Sequence, residues 1–165
     1  MDPLRILYLC TGNSARSILS EALTNHYGRG RLIAYSAGSH PTGAVNPMAI
    51  QILDANGIDI AGLRSKSWDE FAGADAPVMD LVVTVCSQAA GEICPVWPGA
   101  PIATHWGVDD PAAVDTSSQA RMAAFLGAYK VIEARVRALT ELDVQHLDAA
   151  SLKRAVDSIA HSEQA

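Results

Sequence analysis

The sequence contains no hydrophobic run long enough to cross a bilayer. Its longest apolar stretches, such as residues 77–86, fall well short of the roughly 18 residues that a membrane-spanning helix needs. The N-terminus also lacks a basic region followed by an apolar stretch, which is the pattern of a secretion signal. We therefore expect a protein with neither a membrane anchor nor an export signal.

Positive charge and cysteine are also scarce. The formal net charge is −6, and no cluster of Lys and Arg interleaved with aromatic residues is present. Such clusters bind the phosphate backbone of nucleic acids, so we expect no nucleic-acid partner. The three cysteines are an odd number and are not spaced like a secreted disulfide framework. This usage favours a reducing compartment, and we expect the protein to be cytoplasmic.

What is present is a pattern of alternating elements. The chain has 165 residues, 49% of them hydrophobic, which is enough for one substantial core. Short apolar, β-prone runs alternate with segments of helical periodicity, as in α/β sandwiches built on a parallel sheet. We expect one domain at residues 1–142 and a C-terminal extension at 143–165, either an extra helix or a partly frayed tail. The patterns predict strands at residues 4–9, 32–37, 79–85 and 101–104, and helices at about 16–27, 45–55 and 117–142.

Cys10 and Arg16 bracket five residues between the first predicted strand and the first predicted helix. In that position the backbone N–H groups of the loop and the helix N-terminus converge on one point, where a tetrahedral oxyanion fits. Arg16 adds a charged bidentate fork, and the same positive field favours the thiolate of Cys10 as a nucleophile. Ser17 is placed to donate a hydrogen bond to that thiolate. The predicted anion-binding residues are Thr11, Gly12, Asn13, Ser14, Ala15, Arg16 and Ser17.

Two other interpretations of this loop compete with an anion-binding site. In one, Cys10 is a buried core residue and Arg16 a surface residue of the helix, and the pattern alone leaves this alternative open. In the other, the loop binds a nucleotide. The motifs G-x-x-x-x-G-K-[ST] and G-x-G-x-x-G, which such loops require, are absent.

More reactive side chains follow the third and fourth predicted strands. Cys86 ends the third strand, Cys94 follows in a Gly- and Pro-bearing segment, and Asp110 lies beyond the fourth strand. Ligands of parallel sheets bind at the carboxyl ends of strands, where all these segments fall. Pro111 disfavours helical geometry at Asp110, which suits a carboxyl group held over an anion. A core position for Cys86 and a plain helix-entry turn at Asp110 are the alternatives.

A metal centre is not expected. The sequence has no C-x-x-C pair, and its histidines lack the spacing of metal ligands. These histidines are His26, His40, His105, His146 and His161.

With these motifs in view, the chain resembles the low-molecular-weight tyrosine phosphatase superfamily, and its arsenate reductase branch fits better. The first motif is residues 10–17, CTGNSARS, after an apolar strand. The others are YSAG at 35–38, VNP at 45–47, VTVC at 83–86, CP at 94–95 and HWGVDDP at 105–111, in the order of the branch. The resemblance covers about residues 4–140. It implies a three-layer sandwich with a central four-stranded parallel sheet.

The resemblance also implies a reaction, the reduction of arsenate to arsenite for arsenic detoxification. In that mechanism Cys10 attacks arsenic while Asp110, as general acid, assists loss of an oxygen. Cys86 then attacks Cys10 and arsenite leaves, and Cys94 moves the disulfide to the surface as a Cys86–Cys94 bond. Thioredoxin, or a glutaredoxin with glutathione, would reduce it. We expect no cofactor, and a monomer or a homodimer.

Two alternative functions stay open at this point. A low-molecular-weight protein tyrosine phosphatase would use Cys10, Arg16 and Asp110 without a relay. Such phosphatases usually carry an aromatic residue after the Asp-Pro pair, where this chain has Ala112. The other alternative is a non-catalytic oxyanion or redox sensor, although no appended signalling or DNA-binding segment is apparent.

One position departs from the family pattern. Some thioredoxin-coupled members bind a potassium ion beside the anion loop, through residues that match Asn13, Glu21 and Ser36 and a carboxylate that aligns with Lys66. A lysine ammonium can take the place of the cation electrostatically. The resemblance therefore predicts activity that does not depend on potassium, with a solvated Lys66 as the alternative.

Overall fold

The protein is built around a parallel sheet in the computed structural model, which describes residues 2–86 and 97–161. The described strands are β1 (Leu4–Cys10), β2 (Leu32–Gly38), β3 (Leu81–Thr84) and β4 (Ile102–His105). They form one sheet in the order β2-β1-β3-β4, and all of its pairs are parallel. Cys94 lies outside the described residues, so its role stays a prediction.

Four helices are described, with two short 3-10 turns. The helices are α1 (Arg16–Gly28), α2 (Pro47–Ala55), α3 (Ser118–Thr140) and α4 (Ala149–His161), and the turns are Trp68–Phe71 and Pro111–Ala113. The helices predicted at 45–55 and 117–142 begin one or two residues later than expected. Asn46 and Ser117 are N-caps whose side chains accept hydrogen bonds from backbone N–H groups of the first turn.

The third strand is shorter than the predicted 79–85, because β3 pairs with its neighbours only from Leu81 to Thr84. Beyond β3, the backbone N–H of Val85 still donates to Leu9 O at 2.9 Å. The apolar run therefore extends beyond the paired residues of β3, because Val85 and Cys86 are also buried. This extension carries Cys86 to the end of β1.

The two faces of the sheet bury alternate residues of each strand. Ile6 and Tyr8 of β1 lie in one core cluster with residues of α3 and α4, and Tyr8 Oη lies 2.7 Å from Thr24 Oγ1 of α1. Leu7 and Leu9 point to the other face, where they pack with Phe71 of the first 3-10 turn. The predicted three-layer α/β sandwich around a four-stranded parallel sheet is confirmed.

The C-terminal segment that the sequence left open contains helix α4, which packs on the sheet. Val156 is fully buried in the same cluster as Tyr8. Trp106 donates its indole N–H to Val156 O at 2.8 Å, and Thr104 Oγ1 donates to Asp157 Oδ1 at 2.6 Å. Helix α4 thus holds the chain that leaves β4. No helix in residues 2–86 and 97–161 is long and apolar enough to cross a membrane.

Candidate active site

The loop between β1 and α1 has the geometry of an anion cradle. Cys10 is the last residue of β1 and Arg16 is the first of α1. Ala15 is the N-cap and offers no side-chain acceptor, so the N–H groups of the first helical turn stay available to an anion. Asn13 takes a left-handed backbone conformation, with φ of 47°, which turns the loop tightly.

Cys10 is buried at the base of this loop, with 3% of its surface exposed. Its Sγ lies 2.9 Å from Ser17 Oγ, and the backbone N–H of Asn13 donates to it at 3.2 Å. Donors aimed at a sulfur favour the thiolate over the thiol. Ser17 therefore lies within hydrogen-bonding distance of Cys10, as the sequence predicts.

Segments that the sequence analysis missed bind the outer side of the loop. Their N–H and hydroxyl groups donate hydrogen bonds to the carbonyl oxygens of the loop. The bonds are His40 N to Thr11 O, Thr42 N and Ser65 Oγ to Gly12 O, and Asn46 N to Ser14 O, at 2.9 to 3.2 Å. With its carbonyls held outward, the loop keeps its N–H groups for a ligand. The only signal in the sequence was the turn-rich composition of residues 38–46.

Gly38 at the end of β2 lets the loop approach this closely. A Cβ atom there would lie 2.4 Å from Thr11 O and 3.0 Å from the Cβ of Asn13. Any larger residue would push the anion loop away from β2. The glycine in the YSAG motif is thus required by packing against the site.

Arg16 and Asp110 come together although they lie on different elements. The backbone N–H of Val108 donates to Val85 O at 3.0 Å, which folds the loop after β4 over the end of β3. Arg16 Nη1 donates to Val108 O at 2.8 Å, and its Nη2 lies 3.7 Å from Asp110 Oδ2. Asp110 Oδ1 accepts from the backbone N–H of Ala112 at 3.0 Å. The carboxyl group is half exposed beside the anion cradle.

Cys86 lies behind the anion loop, just beyond the end of β3, the strand that neighbours β1. It is 2% exposed, and its Sγ is 3.7 Å from Thr11 Oγ1. Cys10 and Cys86 belong to one core cluster, and neither forms a disulfide bond. The structure therefore places two of the three predicted cysteines at one end of the sheet.

The four residues that align with the potassium site of some family members also meet beside the loop. Asn13 Nδ2 donates to Ser36 Oγ at 3.0 Å, and Ser36 Oγ donates to Glu21 Oε1 at 2.5 Å. Lys66 Nζ lies 3.4 Å from Ser36 Oγ and 3.6 Å from Glu21 Oε1. Lys66 is therefore buried in the cluster, and the solvated alternative is wrong.

Comparison with known proteins matches this architecture. The profile of the low molecular weight phosphotyrosine protein phosphatase family matches residues 5–156. An arsenate reductase of Halalkalibacterium halodurans is 37% identical over 141 residues, which cover 86% of this chain and 98% of that protein. An arsenate reductase of Bacillus subtilis is 36% identical over 141 residues, with 86% and 98% covered.

A solved structure agrees with these relatives. The crystal structure of an arsenate reductase from Archaeoglobus fulgidus superposes with a TM-score of 0.66 at 28% identity, covering 83% of this chain and 99% of that one. The matched residues include the anion loop, Cys86 and the Asp110 loop, because the family profile spans residues 5–156. The chain belongs to the low molecular weight phosphotyrosine protein phosphatase family.

Proposed function

We propose that this protein reduces arsenate to arsenite. The observation that carries the proposal is the meeting of two buried cysteines at one anion loop, with Cys86 Sγ 3.7 Å from Thr11 Oγ1 of that loop. A phosphatase needs only the first thiol, whereas reduction by two electrons needs a pair that becomes a disulfide. The arsenate reductases of H. halodurans and B. subtilis, which this chain resembles over 86% of its length, support the same substrate.

Arsenate would bind as a tetrahedral oxyanion in the cradle of residues 11–17. The loop N–H groups, the N-terminus of α1 and the Arg16 fork supply positive potential on three sides. Cys10 lies buried at the base of the same cradle. Arg16 donates to Val108 O at 2.8 Å, so its guanidinium is oriented before the substrate arrives.

The first chemical step joins sulfur to arsenic. The Cys10 thiolate attacks arsenic, and a hydroxyl group of hydrogen arsenate leaves as water after accepting one proton. Asp110 is the proposed proton donor, because its carboxyl group lies beside Arg16 at the edge of the cradle. The product is a covalent adduct between Cys10 and arsenic that remains in the +5 oxidation state.

The second step reduces arsenic. The Cys86 thiolate attacks Cys10 Sγ, a Cys10–Cys86 disulfide forms, and the electron pair of the sulfur–arsenic bond stays on arsenic as arsenite leaves. Cys94 would then attack Cys86, which releases Cys10 and leaves a Cys86–Cys94 disulfide. A dithiol donor, thioredoxin or else a glutaredoxin with glutathione, would reduce this bond.

The setting of the reaction is part of the proposal. We propose a cytoplasmic protein that serves arsenic detoxification as a monomer or a homodimer, because the relay needs a reducing compartment. We also propose residues 1–142 as the catalytic domain and 143–165 as its extension.

The test is arsenate-dependent oxidation of NADPH in the presence of thioredoxin and thioredoxin reductase. The intact chain is compared with Cys10→Ser, Cys86→Ser and Cys94→Ser. Turnover by the intact chain, and its loss in each variant, is the expected result. If Cys94→Ser turns over as the intact chain does, a glutathione-type donor is tested next, since a small thiol can reduce a less exposed disulfide.

Two results would overturn the proposal. Hydrolysis of p-nitrophenyl phosphate that survives loss of Cys86 and Cys94, with no arsenate turnover by any donor, would indicate a phosphatase. Formation of one disulfide per chain without turnover, even when a reductase system is supplied, would indicate a redox or oxyanion sensor.

A further inference from the structure

Lys66 is a buried cation behind the anion loop. Its side chain is 7% exposed, and that of Glu21, 3.6 Å away, is 14% exposed. Lys66 Nζ also donates to Arg64 O at 3.0 Å and to Ser36 Oγ at 3.4 Å. A lysine is rarely buried unless it is paired, so the contacts mark Lys66 and Glu21 as one charge pair.

The backbone of Lys66 determines how the amide of Asn13 is oriented. The N–H of Lys66 donates to Asn13 Oδ1 at 2.8 Å. A backbone N–H can only donate, so this atom of the amide must be the oxygen. The two hydrogens of Asn13 Nδ2 therefore point to Ser36 Oγ and Ser17 Oγ, at 3.0 Å and 2.8 Å.

The carboxylate of Glu21 determines the direction of the next bond. Ser36 Oγ gives its only hydrogen to Glu21 Oε1. Its lone pairs are then left to accept from Asn13 Nδ2 and from Lys66 Nζ. Each hydrogen in the cluster has one assignment, because an ionised carboxylate accepts and an ammonium donates.

The cluster ends on the reactive sulfur. Ser17 Oγ accepts from Asn13 Nδ2, which leaves its own hydrogen for Cys10 Sγ at 2.9 Å. The backbone N–H of Asn13 donates to the same sulfur at 3.2 Å. Two donors on one sulfur stabilise the thiolate relative to the thiol.

The charge of Lys66 also compensates the charge of Glu21 behind the anion loop. Glu21 alone would place an uncompensated negative charge behind a loop that must hold a thiolate and an anion. Burial lowers the pKa of Lys66, and Arg64 lowers it further, whereas Glu21 and Glu70 raise it. Burial has the largest effect, so the pKa of Lys66 is lowered overall, and the pair with Glu21 opposes that shift.

We propose that Lys66 and Glu21 are positioning residues that control the ionisation of Cys10, by directing the hydrogen bonds that end on its sulfur and by cancelling each other's charge. The inference deepens the proposed function, because it rests on Cys10 as the nucleophile. Neither residue belongs to the predicted anion-binding loop, residues 11–17.

The test measures the rate at which iodoacetamide alkylates Cys10 as a function of pH. Cys86→Ser and Cys94→Ser are introduced together, so that Cys10 is the only thiol in the chain. Lys66→Met, Glu21→Gln and the combination of both are compared in that background. Lys153→Met is the matched control, since Lys153 also forms an ion pair, with Asp157 at 3.0 Å, but on helix α4.

Lys66→Met should slow alkylation at neutral pH by about tenfold, because the remaining Glu21 charge opposes the thiolate. Glu21→Gln should speed alkylation, since Gln still accepts from Ser36 while the ammonium stays. The combined variant should regain most of the lost rate, and Lys153→Met should behave as the parent.

Three outcomes would overturn the inference. One is an unchanged rate in Lys66→Met, and another is a combined variant as slow as Lys66→Met, which would indicate a merely structural role. If Lys66→Met fails to fold by circular dichroism, Glu21→Gln decides alone, and an unchanged or slower rate contradicts the proposal. Alkylation requires no arsenate, so a failure here is distinguishable from a failure of arsenate turnover.

Discussion

Arg16 Nη1 donates to the backbone oxygen of Val108 at 2.8 Å, while Arg16 Nη2 lies 3.7 Å from Asp110 Oδ2. One guanidinium therefore links the anion loop to the loop that carries the proposed acid. Because Arg16 begins helix α1, anion binding and placement of Asp110 depend on the same rigid element.

Arg16→Lys should lower kcat/KM for arsenate by about 10²–10³-fold, since a lysine supplies charge without the planar fork. It cannot bind an oxyanion in bidentate fashion and hold Val108 O at the same time. Steady-state kinetics with the thioredoxin system measure the effect. Arg121→Lys is a control, because Arg121 donates to Val114 O outside the cradle. Equal activity of Arg16→Lys and the parent protein would contradict the role of the fork.

Asp110→Asn should lower kcat by about 10²–10⁴-fold, because the amide cannot protonate the departing oxygen. The backbone bond from Ala112 N to the side-chain oxygen can persist, so the loop should keep its shape. Asp109→Asn is the matched neighbour and should retain most of the activity. Pre-steady-state formation of the adduct is the measurement. A larger loss in Asp109→Asn would exchange the two assignments.

Arsenate turnover should be equal in sodium and potassium buffers of the same ionic strength. The ammonium of Lys66 already lies within 3.6 Å of Glu21 Oε1 and 3.4 Å of Ser36 Oγ, so a cation has no uncompensated charge to neutralise there. Rates are compared with the thioredoxin system, whose own activity is checked in each buffer. A large activation by potassium would refute the prediction.

Trp106→Phe should lower the free energy of unfolding by about 1–3 kcal/mol, because the indole N–H that donates to Val156 O is lost from a buried position. The ring also packs near Tyr8, with centroids 6.3 Å apart. Urea unfolding followed by circular dichroism gives the value. Trp68→Phe, at a half-buried position on the other face, should change stability less. An unchanged midpoint would mean that helix α4 is held without this bond.

Stability at low pH should depend on Asp157, which joins helix α4 to β4. The pKa of Asp157 is lowered chiefly by the hydrogen bond from Thr104, and also by Lys153. A carboxyl group with a lowered folded-state pKa stabilises the fold above its unfolded pKa, and that contribution disappears as the pH falls through the folded value. Asp157→Asn should therefore flatten the dependence of Tm on pH in the acidic range. An identical slope in both proteins would contradict this.

The local sequence was sufficient for the elements that carry the chemistry. Cys10 at the end of a strand and Arg16 at the start of a helix follow from an apolar run, a Gly- and Asn-bearing loop and a helical repeat, all within about 25 residues. Such signals are encoded by neighbours in the chain. Element ends were less accurate, as at β3, because strand pairing stops at Thr84 while the buried apolar run continues through Val85 and Cys86.

The tertiary structure alone decided through which contacts distant groups complete the site. The bond from Lys66 N to Asn13 Oδ1 spans 53 positions, and the bond from Arg16 to Val108 O spans 92. Both depend on the strand order β2-β1-β3-β4, which no local pattern encodes. The sequence by itself determined the nucleophile loop and the fold class, since these arise from short-range periodicity and turn chemistry. Only the packed sheet determined how Lys66 and Val108 support that loop and how helix α4 holds the chain that leaves β4, since those contacts form when segments far apart in the chain become neighbours.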